Sequence, residues 1–320
     1  MVLLVALGAG GWCAWAVYTP VTPPGNQSVL LHTGYSTRRI GVELKKAGVI
    51  RSVLAFRVWQ ALHRKQSLKA GEYLFERAAN IPEVYGRIAR GDIYFHVVTI
   101  PEGYTMFDVA LAMENGGLGS AEEFLKIAET RTDLISDLAP EAKSLEGYLF
   151  PNTYQFTRTQ TPEEMVGTMV RQFRQVAQQA GLNDDVHRLV TMASIVEKET
   201  AAPEERPVVA SVYYNRLAHR IALDADPSVI YALLLTGKYT GSLHHADLAV
   251  ASPYNTYRYP GLPPGPIGNP GQSALEAALH PATTQYFYFV SDGNGHHRFA
   301  RDLTEHNRNV AAYRRALGRP

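Results

Sequence analysis

At 320 residues the chain can hold two or three domains around a substantial core. Its hydrophobic (46%) and charged (19%) fractions are those of a globular protein and exclude general disorder. The net charge of +1, with Lys and Arg dispersed, excludes a charge-driven nucleic-acid binder. The single cysteine, Cys13, excludes an internal disulfide and fits no metal-ligand spacing.

Residues 1–18 carry no charge and are rich in Val, Leu, Ala and Trp. As a helix they would reach about 27 Å, close to a bilayer core, so a membrane anchor is expected. Trp12, Trp15 and Tyr18 gather toward one end as an aromatic belt would, although no Lys or Arg precedes the stretch. A cleaved signal peptide is the alternative, but Tyr18-Thr19-Pro20 is a poor cleavage site, and Trp12 before Cys13 does not suit lipidation. Residues 19–26, with three prolines and a glycine, read as a linker.

Two related α/β units are expected next, over 27–100 and 101–160. Gly34-Tyr35-Ser36-Thr37 matches Gly103-Tyr104-Thr105, and Ser52 to Phe56 matches Ser120 to Phe124. Gly71-Glu72-Tyr73-Leu74-Phe75 matches Gly147-Tyr148-Leu149-Phe150. Ile81-Pro82-Glu83 matches Thr161-Pro162-Glu163, and each Pro-Glu pair suits the first turn of a helix. Tyr94 to Ile100 reads as a strand joining the units.

The third region, 161–320, is where chemistry concentrates. After a helix from Pro162 to Ala180 closed by Gly181, a second helix capped by Asn183 or Asp184 should carry Val186 through Thr200. Val186, Val190, Ala193 and Glu197 then lie nearly above one another, whereas Glu199 points to the opposite face. Glu197 is therefore a carboxylate on an apolar stripe. It is either a proton donor with a raised pKa or a buried Glu tied to an Arg.

Asn215 shares an inward face with Val208, Val212 and His219 on the following helix, as a substrate contact or a core amide satisfied by backbone. Asp226-Pro227 reads as a helix start with Asp226 as its cap, while Asp224 is a weak candidate for the cleft. Ser252 to Gly271 is a loop stiffened by prolines. Tyr254, Asn255 and Tyr257 on it can offer flat apolar faces and amide hydrogen bonds to a sugar. Tyr286 to Ala300 reads as a hairpin turning at Asp292-Gly293-Asn294-Gly295. His296, His297 and His306 have no metal-ligand spacing around them, so no metal or other cofactor is expected. Glu146, in Leu145-Glu146-Gly147-Tyr148, is a possible second carboxylate or a helix-end or turn charge.

Six stretches in order carry a family resemblance: Ala193 to Thr200, Val212 to Leu217, Asp226 to Tyr231, Ser252 to Tyr257, Gly261 to Ile267, and Tyr288 to Gly293. Together they resemble the endolytic murein transglycosylases, or YceG-like proteins, over nearly the whole chain. The resemblance implies an α+β protein with an inner-membrane anchor, LysM-like units and a mostly helical catalytic domain facing the periplasm. It implies internal cleavage of nascent glycan strands, murein synthases as partners, and a catalytic glutamate at Glu197. His297 and Phe299 fall where the family has a His and a Phe, while His296 replaces a glycine.

Glycosidases ordinarily use two carboxylates. Glu197 is the one well-placed carboxylate here, and the resemblance implies a non-hydrolytic reaction, in which no water needs activation. Glu197 would protonate the leaving oxygen between N-acetylmuramic acid and N-acetylglucosamine, then accept the proton of the muramic 6-hydroxyl as it closes a 1,6-anhydro ring. The alternatives are a two-carboxylate muramidase and a non-catalytic wall-binding scaffold.

Overall fold

The computed structural model describes residues 2–63 and 66–317, with the side chains of 2–7 left aside. The chain divides into two compact units. One comprises residues up to Val98 with Gly116–Leu118 and Gln155–Thr161; the other comprises Thr99–Asn115, Gly119–Tyr154 and the chain from Pro162.

In the first unit, α1 (Val2–Tyr18) is followed by β1 (Gln27–Leu31), α2 (Thr37–Lys46), α3 (Val53–Leu62), β2 (Gly71–Phe75) and α4 (Ile81–Arg90). Ser36 and Ser52 start α2 and α3 by accepting the Arg39 and Ala55 amides, and Asn80 with Glu83 forms a reciprocal capping box on α4. Antiparallel β1 and β2 run in register from Gln27 opposite Phe75 to Leu31 opposite Gly71. Their inner faces, with Leu44, Phe56, Val84 and Tyr85 from the helices, make the core. The last turn of α1 belongs to that core through Ala16 and Val17. No helix among the described residues is long and apolar enough to cross a membrane.

The β-α-α-β order recurs. β3 (His96–Thr99) pairs with β4 (Thr153–Phe156), and α5 (Met106–Asn115) and α6 (Ala121–Thr130) lie between them in the chain. The chain passes from one compact unit to the other within this ribbon. The expected separate unit over 101–160 differs from what forms. α5 and α6 belong to the same compact unit as 162–320, where α6 packs against α5 and α7 (Pro162–Ala180) and buries Phe124 and Ala128. A repeat in sequence specifies the local order of elements, not which neighbour covers each apolar face.

The rest of the second unit comprises α8 (Val186–Glu199), α9 (Arg206–Ala218), α10 (Asp226–Leu234), α11 (Gln272–Leu279), a hairpin of β5 (Tyr288–Ser291) and β6 (His297–Ala300), and α12 (Leu303–Ala316). α8 is the axial helix: α9, α10 and α11 all pack on it, and nine of its residues from Val186 to Val196 are buried. A helix apolar on every side belongs in the middle of a core. Its start lies at Asp185, in the left-handed conformation (φ 52°) with no side-chain cap, one residue beyond the expected Asp184. The hairpin forms as expected, with Tyr288 opposite Ala300 and Asp292 accepting the Asn294 amide at 2.7 Å in the turn.

The Pro/Gly-rich loop is buried along Gly265–Gly271 and is stitched into the core by Asn269. The Asn269 carboxamide accepts the Leu149 amide at 2.9 Å and donates to Tyr104 O (2.8 Å) and Glu146 Oε1 (3.0 Å). Gly147 lies beneath this loop with φ of 88°, and a Cβ there would come within 2.5 Å of Pro266 and 2.8 Å of Val190. Neither neighbour can swing aside. Gly147→Ala should therefore cost about 3 kcal/mol through overpacking and left-handed strain, read as a fall in thermal midpoint.

Candidate active site

The two glutamates at the end of α8 have different surroundings. Glu197 lies on the Val190–Ala193 stripe as its spacing predicts, with its side chain 5% exposed. Oε1 is bound by Arg206 Nη2 at 2.6 Å, and Oε2 accepts the Gly271 amide at 2.9 Å. Arg206, itself buried at the start of α9, also reaches Glu102 Oε2 at 3.4 Å. Desolvation raises the Glu197 pKa, while the Gly271 amide and the Arg206 cation oppose it. Both carboxylate oxygens are engaged by structural donors. Glu197 ties α8 to α9 and to the loop.

Glu199 faces a cavity of about 360 Å³ lined also by Tyr213, Arg216, Asp224, Asp226, Tyr257 and Phe289 among others. Tyr213 Oη donates to Glu199 Oε1 at 2.8 Å, and no cation pairs with this carboxylate among the described residues. Burial pushes the Glu199 carboxyl up to about 7, against the Tyr213 hydrogen bond and with the Asp226 charge adding to the rise. Near neutral pH it is therefore poised between acid and base. The helical wheel alone misses Glu199, because it assumes a single buried face. The signal was nonetheless in the sequence: Met192, Ile195 and Val196 form a second apolar stripe under Glu199.

The folded-state pKa of Glu199 lies above its unfolded value of 4.5, so the folded protein binds this proton more tightly. Stability from the protonated form is complete below pH 4.5 and falls as pH rises toward 7. Glu199→Gln removes that loss. Relative to wild type the variant should gain thermal stability above pH 7, on the order of 3 kcal/mol, and nothing at pH 4.

Of the other expected residues, Tyr257 and Asp226 join Glu199 in the cavity. Tyr257 Oη donates to Asp226 Oδ1 at 2.6 Å. Asp226 is not the cap expected of it. It sits inside the first turn of α10, Ala225 is the capping position, and the carboxylate is turned to Tyr257. Asp224 (φ 49°) lines the same cavity and pairs with Arg216 at 3.4 Å. Desolvation raises its pKa despite that cation.

His297 stands behind the cavity, where its Nδ1 and amide bind Glu205 at 2.7 and 2.9 Å. Its ring lies edge-on to Phe289. His296 also turns to Glu205, at 3.3 Å, and His306 stacks on Tyr288.

Asn215 and Asn255 are occupied elsewhere. The Asn215 amide donates to Thr284 O (3.0 Å) and Tyr286 O (2.9 Å), fastening α9 to the segment that leads into β5. Fully buried Asn255 donates to Leu248 O and Val250 O and accepts the Tyr257 amide, which holds the loop in shape. Tyr254 packs on Tyr231 (ring centroids 5.0 Å apart), and burial pushes its hydroxyl up to about 12.

Glu146 is not an exposed turn charge. It is buried, accepts the Met106 amide at the start of α5 and the Asn269 carboxamide, and burial pushes it up to about 7. Its donors are structural, so it acts as an internal cap where the loop, α5 and the Gly147 turn meet.

The chain is similar over this whole region to known proteins. The YceG-like family matches residues 29–312. An endolytic murein transglycosylase of Bacillus subtilis is 33% identical over 89% of this chain and 84% of its own length. Another, from Streptococcus pneumoniae, is 29% identical over 98% of this chain, which spans 64% of that relative. A crystal structure of a yceG-like protein from Listeria monocytogenes is 32% identical and matches 88% of this chain and 98% of its own, with a TM-score of 0.59. The chain belongs to the YceG-like family.

Proposed function

We propose that the protein is a murein lytic transglycosylase, a lyase that cuts the N-acetylmuramic acid–N-acetylglucosamine bond of peptidoglycan and acts within strands, as the name of its relatives states of them. The observation that carries the assignment of chemistry is Glu199. It is a desolvated carboxyl with pKa near 7, with no ion-pair partner among the described residues, in a cavity whose Tyr257 offers a flat face and whose Asp226 and Arg216 offer polar contacts to a sugar. Protonated Glu199 donates to the leaving 4-oxygen of N-acetylglucosamine. The carboxylate that results takes the proton of the muramic 6-hydroxyl, whose oxygen bonds the anomeric carbon. The product carries a 1,6-anhydro end, and Glu199 regains its proton.

The sequence offers Glu197 as a lone carboxylate, whereas Glu199 shares its cavity with Asp224 and Asp226. That observation favours a second reading, a two-carboxylate muramidase. Mass spectrometry of purified murein digested by the protein separates the two. Anhydro-muramyl ends are expected; reducing ends carrying an added water would overturn the lyase assignment.

The proposal extends to placement. The uncharged α1 supports a membrane anchor at the inner membrane with the bulk of the chain in the periplasm. The β-α-α-β order of the first unit supports a LysM-like glycan grip. Murein synthases as partners rest on the family resemblance.

A further inference from the structure

In the first unit α3 turns an apolar stripe outward. Leu54, Val58 and Leu62 are 57%, 38% and 75% exposed, one helical turn apart. An open groove of about 550 Å³ runs between α3 and the start of α2, and there Arg38 and Arg57 border Leu54, Val58 and Ala61. Among the described residues neither arginine has an ion-pair partner. Nearby Arg39 and Lys46 do, both on Glu43. From Ser36 to His63 the sequence has six Lys or Arg and one acidic residue, Glu43, in a chain whose net charge is +1.

The helix that carries this stripe packs on α1. The Arg51 guanidinium packs 4.9 Å from the Trp15 ring and donates to the carbonyls of Thr19 and Pro20, while Tyr18 meets Trp59 edge-on at 5.9 Å. Trp12, Trp15 and Tyr18 are exposed along α1. Aromatic rings, aliphatic side chains and unpaired arginines on one surface match the layers of a lipid headgroup region. A glycan ligand would leave the leucines without a partner, and an acidic protein would leave the indoles unexplained.

We propose that the α3 stripe, with Arg38 and Arg57, is a docking surface for an anionic lipid bilayer. It rests on the reading that α1 enters the membrane. With Ala16 and Val17 packed in the unit's core, lipid cannot surround the last turn of α1, so α3 is drawn down onto the headgroups beside it. The first unit would then ride on the membrane instead of projecting from it.

The test uses the full chain in a Cys13→Ser background. A single cysteine is placed at Val58, Leu62 or, as a control, exposed Arg77, and is labelled with an environment-sensitive dye. Reconstitution is into phosphatidylcholine vesicles with and without phosphatidylglycerol, and lipids spin-labelled near the headgroup serve as quencher. Dyes at 58 and 62 should be quenched and that at 77 should not. The double variant Arg38→Glu, Arg57→Glu should weaken this lipid contact about tenfold on anionic vesicles and little on neutral ones. If the protein floats with vesicles but 58 and 62 are quenched no more than 77, α1 alone holds it and the proposal is wrong while the anchor stands. Shielding of 58 and 62 from aqueous iodide without lipid quenching, or a disulfide between two copies at 62, assigns the stripe to protein and overturns it. Failure to float sinks the anchor and the docking surface together.

Discussion

Glu199→Gln is expected to lower the turnover number on purified murein by about 10²–10⁴-fold, the usual contribution of a positioned general acid. Gln keeps the shape and can still accept the Tyr213 hydroxyl, but it cannot donate a proton and take one back. KM should change little, because the other polar groups of the cavity remain. Folding should survive intact, since no cation is left unpaired and the desolvation cost of a charge disappears. Wild-type activity should in turn follow the ionisation of this carboxyl, with kcat/KM changing around pH 7.

The opposite pattern is expected at Glu197. Replacing it with Gln leaves Arg206 buried, with its Nε already unsatisfied and only Glu102 at 3.4 Å to balance it. Breaking one side of a buried ion pair costs about 3–5 kcal/mol, which for a unit of this size is on the order of 10 °C in thermal midpoint. Arg206→Met with Glu197→Gln removes both charges and should recover a good part of that loss. Below its melting transition the single variant should retain turnover within about tenfold of wild type, since a misplaced site costs less than a missing acid. Loss of turnover with an unchanged midpoint would return Glu197 to the mechanism.

Much of this molecule is legible in its sequence. The serine caps of α3 and α6, the Pro-Glu starts of α4 and α7, and the hairpin around Asp292 depend on neighbours within four residues, and each forms where its sequence signal lies. The loop rich in Pro and Gly is ordered and enters the core, as its stiff composition implies.

What escapes is whatever depends on a partner distant in sequence. Glu197 is correctly placed on an apolar stripe, but whether such a carboxylate is free or paired depends on Arg206, nine residues away on another helix. The same limit applies to Asn215 and Asn255. An inward amide can serve a ligand or a backbone carbonyl, and here the carbonyls of 284, 286, 248 and 250 take it. Asp226 shows the reverse: a local signal for capping is overridden by Tyr257, 31 residues on. Glu199 escapes a helical wheel because the wheel assigns one face to solvent, an assumption that fails for a helix packed against three others.

The central claim is that the proton moves through Glu199 and not Glu197, and one comparison tests it directly. Purified murein is digested with wild type, Glu197→Gln and Glu199→Gln below the melting temperature of all three, and anhydro-muramyl ends are counted by mass spectrometry. The account predicts ends from wild type and from Glu197→Gln, and background from Glu199→Gln. Anhydro ends released at the wild-type rate by Glu199→Gln, with none from folded Glu197→Gln, would contradict it.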